Sequence, residues 1–186
     1  MLKVALVGHS QLPHSLEVEG ADIEIFRSPG GRAYSFYDDD DLNDVLNWSG
    51  DLAILWLGSN DIMQDTNVWE VVNDIIGIKE SIEEETGATV VIILVEPRCY
   101  PDDEPVDEAQ YRKIQKSINR KLERELSETE FIRFNLPLYE QELAEDGVHF
   151  TSYGKELIEE KISDCIESFV ENHETDDSDV ESDDRW

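Results

Sequence analysis

Two short runs of almost unbroken aliphatic and β-branched residues, 52–57 and 89–95, constrain this chain more than any other feature. Neither shows the polar alternation of a strand with one wet face, so both call for strands covered on both sides, as in the interior of a parallel sheet. Shorter apolar runs at 2–7 and 23–26, and a weaker one at 131–134, supply three further strands. Between the runs lie helical patterns at 41–47, 66–86, 106–126 and 152–170. Strands alternating with helices imply parallel pairing through right-handed crossovers, and therefore an α/β fold: a three-layer α/β/α sandwich around a five-stranded parallel sheet. The punctuation agrees, with Asp65 placed to cap the second helix, Gly87 to end it, and Ser152 or Thr151 to cap the last.

At 186 residues the chain has room for one domain, expected over residues 1–170. Residues 171–186 are about half acidic with few apolar groups, which predicts a disordered or loosely docked tail. The chain carries 45 Asp and Glu against 15 Lys and Arg, a net charge of -30. Without the tail, about 37 acids still face about 14 bases, so the charge is spread over the whole surface. Such a surface looks like that of proteins from halophilic archaea or their viruses, where salt screens the self-repulsion. It disfavours nucleic acid as a partner, because phosphate contacts need a basic stripe. The most basic stretch, 111–124, reads as a solvated helix face with opposite-charge pairs. Cys99 and Cys165 have no metal-like spacing and are expected to be reduced thiols. Run 2–7 is too short for a signal peptide, and no run approaches a membrane span. The expected location is the cytoplasm, or a virion if the chain is packaged into a larger particle.

Chemistry concentrates in Asp146-Gly147-Val148-His149, followed by Phe150-Thr151 at a predicted helix start. An imidazole needs a carboxylate to fix its tautomer and stabilise its protonated form, and Asp146 stands three residues from His149, on one side of a turn. A parallel sheet gathers the loops at the carboxyl ends of its strands along one edge, which brings the turns 8–11, 29–32 and 58–61 towards this pair. There Ser10 is the candidate nucleophile, opening a short helix whose N-terminus would polarise its surroundings. The Ser10 and Gly31 N–H groups with the Asn60 amide form a candidate oxyanion hole; His149 would take the Ser10 proton and Asp146 orient the ring. His9 and His14 read as local hydrogen-bonding residues, and no metal site is expected. Tyr34, Phe36 and Tyr37 are the pocket candidates, while Trp48, Trp56, Trp69 and Tyr100 read as core. The loops 32–47 and 98–107 are expected to set substrate preference.

Taken together these residues resemble the SGNH/GDSL hydrolases: Ser10 as the block I nucleophile, Gly31 in block II, Asn60 within Gly-Ser-Asn-Asp in block III, and Asp146 with His149 in block V. The resemblance covers most of residues 1–170. It implies a flavodoxin-like sandwich and hydrolysis of acyl or acetyl esters of small molecules, lipids or glycans through a serine acyl-enzyme, with no metal or other cofactor. The chain departs from the family pattern at His9, where that family usually has Asp, and in the brief segment 11–16, which Pro13 restricts further. These departures keep a second reading open: a weakly active or inactive SGNH-fold component of a virion or surface, used for binding or assembly.

Overall fold

The computed structural model describes residues 1–99, 106–133 and 143–178, with side chains through His173. Strands β1 (Leu2–Gly8), β2 (Ala21–Arg27), β3 (Leu52–Trp56), β4 (Thr89–Ile93) and β5 (Phe131–Ile132) form one sheet in the order β2-β1-β3-β4-β5. Every pairing is parallel. The two constraining runs became the strands beside and beyond β1, with β3 buried at every position and β4 at all but Thr89. At the sheet edge β2 is only half-buried, in alternation with exposed positions. The weak run pairs with β4 over Phe131–Ile132; its last residue, 134, lies outside the described residues.

Helix α1 (Asp40–Asn43), flanked by 3₁₀ turns, is followed by α2 (Val68–Thr86), α3 (Glu108–Glu125) and α4 (Ser152–Ser178). One face of the sheet, with Val7, Leu55 and Ile92, is covered by α2 through Val72, Ile75 and Ile82 and by α3 through Ile118 and Leu122. The other, with Leu6, Ile54 and Val91, is covered by Ile158, Ile162 and Ile166 of α4, helped by Leu12 and Val18. Consecutive strand residues thus serve opposite cores, which is why no polar alternation is visible.

Gly87 ends α2 in the left-handed region at φ 73°, and Thr151 Oγ1 accepts the Gly154 N–H at 3.2 Å to cap α4. The cap of α2 is Asn67, which accepts the Trp69 N–H at 3.1 Å, rather than Asp65. Asp65 falls inside a turn closed by the Thr66 N–H on Met63 O at 3.3 Å. Helix α4 also continues past the expected boundary at 170: Phe169 and Val170 still pack on the second core, and His173 Nε2 stands 4.0 Å from Asp51 Oδ1. Residues 179–186 of the expected tail lie outside the described residues.

The aromatics divide differently from their sequence reading. Trp56 is fully buried as expected and Trp48 packs against the first core, but Trp69 is 54% exposed with Lys121 Nζ 3.1 Å above its ring. Phe36 is fully buried and so is core, not pocket lining. Tyr37 turns its hydroxyl to Ser81 Oγ on α2 at 2.8 Å, and Tyr34 stays exposed. Tyr100 lies outside the described residues. Cys99 and Cys165 are free thiols. No helix among the described residues is long and apolar enough to cross a membrane.

The chain runs from β1 outward to β2, then crosses back over β1 to β3, so β1 and β3 are the neighbours from which the connections diverge. A crevice opens at the carboxyl ends of such a pair. Burial on both sides makes this region intolerant of lost volume: Leu55→Ala is expected to cost about 2–5 kcal/mol in a urea titration, and a loss below about 1 kcal/mol would show that β3 is not walled on both faces.

Candidate active site

The turn that bears His149 is built by one carboxylate. Asp146 Oδ1 accepts the N–H groups of Val148 and His149, both at 2.9 Å, while Oδ2 meets His149 Nδ1 at 2.6 Å. With its proton on Nδ1, the ring leaves Nε2 as a lone pair, the form a general base requires. Among the described residues that nitrogen has no hydrogen-bond partner, and the side chain is 54% exposed. The slight burial of Asp146 would raise its carboxyl, but the bonds from His149 and Val148 hold it down at about 2. Gly147 makes the turn possible: its φ is 63°, and a Cβ there would fall 1.3 Å from Cys99 O. That contact and the bond from the Cys99 N–H to Gly147 O at 2.8 Å fix the turn against the segment leaving β4.

Ser10 lies half-buried on the turn after β1, and Gln11 Nε2 donates to Val148 O at 2.7 Å, setting the turn that bears Ser10 beside the turn that bears His149. No hydrogen bond joins Ser10 Oγ to His149 Nε2 in this structure; apo catalytic pairs commonly tighten only around substrate. The short helix expected after Ser10 does not form, and residues 11–20 are irregular. Pro13 both removes a donor and bars the residue before it from helical backbone. The Ser10 N–H has no acceptor among the described residues.

Gly31 differs from its expected role. Gly30, at φ 78°, follows Pro29 in a tight turn closed by the Gly31 N–H on Ser28 O at 3.0 Å, so that N–H is already engaged. Gly31 O in turn accepts Asn60 Nδ2 at 3.0 Å, leaving the second proton of that amide uncommitted. Asp61 ties the same loops together, accepting the Ala33 N–H at 3.0 Å and the Tyr34 N–H at 3.2 Å. Burial pushes the Asp61 carboxyl up, and these two N–H groups partly pull it back.

Beneath the turn that bears Ser10 lies a polar network that the sequence reading missed. Ser59, Glu96 and His9 are fully buried, and Arg98 is nearly so. Glu96 Oε2 accepts the Trp56 indole N–H at 3.0 Å, and Oε1 accepts Arg98 Nη2 at 2.9 Å and Nε at 3.2 Å. Arg98 Nη2 also donates to Ser59 Oγ at 2.6 Å. His9 Nε2 faces Ser59 Oγ at 3.2 Å and Glu96 Oε1 at 3.6 Å. Burial alone would push the Glu96 carboxyl up, yet the Arg98 guanidinium and the His9 and Ser59 donors beside it hold it well below the usual range. The only sequence signal was an acid directly after an apolar strand and an arginine two residues on.

No family sequence model matches the chain, and no curated protein matches it in sequence. Solved structures do share its fold. A carbohydrate esterase of family 3 from Talaromyces cellulolyticus superposes with a TM-score of 0.68 at 15% identity, covering 92% of this chain and 99% of the other. A lipase/acylhydrolase from Enterococcus faecalis gives 0.68 at 18%, covering 90% and 96%. Est24, a carbohydrate acetylesterase from Sinorhizobium meliloti, gives 0.69 at 14%, covering 91% and 100%. At these identities the likeness is one of fold.

Two measurements probe the site's electrostatics. Glu96→Gln leaves the Arg98 guanidinium facing a neutral amide in a sealed space and is expected to lose about 3–5 kcal/mol of folding free energy at neutral pH; a near-neutral result would mean that the network is hydrated. Asp146, depressed in the folded chain, contributes stability above the ordinary carboxylate range and loses it as pH falls towards about 2. A carboxyl NMR titration should find its midpoint there in the wild type and moved upward in His149→Ala; an unmoved midpoint would assign the shift to the backbone bonds alone.

Proposed function

We propose that this chain is a serine hydrolase of carboxylic esters, of the SGNH type, working through an acyl-enzyme. The observation that carries the reading is the Asp146–His149 pair, with Nδ1 bound at 2.6 Å and Nε2 open, tied through Gln11 and Val148 to the turn that bears Ser10. The shared fold of esterases and acylhydrolases supports it.

Ser10 Oγ attacks the ester carbonyl while His149 Nε2 takes its proton, and Asp146 stabilises the imidazolium that results. The oxyanion forms against the Ser10 N–H and the free proton of the Asn60 amide. Gly31 serves this hole by holding Asn60 through its carbonyl rather than by donating its own N–H. Collapse of the intermediate expels the alcohol, which leaves with the proton from His149. Water, deprotonated by the same nitrogen, then attacks the acyl carbon, and Ser10 leaves as the hydroxyl. The substrates are acyl or acetyl esters of a small alcohol or a glycan. The acid-rich stretch 38–41 beside block II disfavours an anionic group on that side.

We expect function in high salt, which screens the charge of -30. The missing Ser10–His149 bond favours one rival: a fold kept for binding or assembly into a larger particle. In molar salt, para-nitrophenyl acetate and butyrate should turn over, and Ser10→Ala should lower kcat/KM by at least about 10³-fold. Full activity in that variant would sink the assignment. A folded wild type that neither turns over nor takes a fluorophosphonate label would establish the rival.

A further inference from the structure

The buried network contains a serine, a histidine and a glutamate, the residue types of a second triad. Its geometry forbids that. Ser59 and Glu96 meet the same ring nitrogen of His9, whereas a relay needs them on opposite nitrogens, and all three residues are sealed from solvent. The other ring nitrogen does something else: His9 Nδ1 accepts the Gln11 N–H at 3.3 Å. This is a side-chain acceptor closing a turn on the N–H two residues ahead, the geometry of an Asx turn with imidazole in place of a carboxamide. Ser10 is the residue enclosed by it.

We propose that His9 is the positioning residue of the nucleophile turn, its Nδ1 holding the Gln11 N–H while its Nε2 docks on Ser59 and Glu96. The inference rests on Ser10 being the nucleophile. Because Nδ1 accepts, the ring proton is on Nε2, and that proton needs an acceptor in a place without water; Ser59 Oγ supplies it at 3.2 Å, with Glu96 Oε1 at 3.6 Å as a second, electrostatic acceptor. Arg98 holds both of those acceptors in place, at 2.6 Å and 2.9 Å. His9 also donates its own N–H to Trp56 O at 3.4 Å and accepts the Leu12 N–H on its carbonyl at 3.1 Å. The turn bearing Ser10 is thus fixed on both sides by one residue, without help from a helix. Gln11, held in this way, presents the Nε2 that reaches Val148 O, so the same ring also sets the spacing to the base turn.

Two substitutions separate the functions of the two ring nitrogens. Asparagine at position 9 retains a short acceptor for the Gln11 N–H but lacks the reach to Glu96; glutamine reaches towards Glu96 but sits one methylene too far out to close the turn. With full-length protein in molar salt, amide exchange at Gln11 and the rate of Ser10 labelling by a fluorophosphonate would be measured for each. His9→Asn should stay within about threefold of the wild type in both, whereas His9→Gln should speed exchange and slow labelling by at least about tenfold, with KM for para-nitrophenyl acetate within about twofold. Labelling of His9→Gln at the wild-type rate, or equal impairment of the two variants, would overturn the proposal. Should the wild type take no label, the reading of Ser10 as nucleophile falls, and the exchange difference between the two variants still decides the claim about His9.

Discussion

A carboxylate sealed from water must be met by charge and hydrogen bonds from within the chain, and Glu96 draws its partners from most of the elements that frame the site. Trp56 reaches it from the end of β3, Arg98 from the segment after β4 and His9 from the turn after β1, while Tyr111 of α3 donates to its carbonyl at 3.0 Å. Each of these loops leaves a different strand, and little else in their sequences would hold them in register with one another. The expected N-terminal helix behind Ser10 is absent. Its orienting function passes to side chains that are rigid because they are buried.

Three carboxylates organise the edge of the sheet, each in a different medium. Glu96 is sealed and held anionic by an arginine; Asp61 is mostly buried and gathers two backbone N–H groups; Asp146 is half-exposed and grips a histidine with two more. Their affinities for a proton are displaced accordingly, upward for Asp61 and downward for Glu96 and Asp146. In a chain with 45 acidic residues, most acids coat the surface, but these three catch the donors that irregular loops would otherwise leave unmet.

What the sequence disclosed follows from the range of the interactions. Strands β3 and β4 were legible because burial on both faces leaves a continuous apolar run, and the base turn because Asp146, Gly147 and His149 complete it among themselves. Gly31 was legible as a glycine in the right loop, but the engagement of its N–H depends on the turn that Pro29 and Gly30 impose. The exchange between Phe36 and Trp69, one sealed and the other under a lysine of α3, depends on contacts across the fold. So does the network at His9, whose partners lie on loops far away in the chain. The histidine itself was noticed, but nothing near it in sequence announced the anion that it requires.

An orienting helix is a tolerant device, since many sequences form one. The turn around Ser10 has been built instead from positions 9, 59, 96 and 98, scattered along the chain and mutually dependent in hydrogen-bond polarity. A donor at 9 calls for an acceptor at 96, and an acceptor at 96 calls for the cation at 98. A relative that keeps histidine at 9 should therefore keep the acid at 96 and the cation at 98 as well.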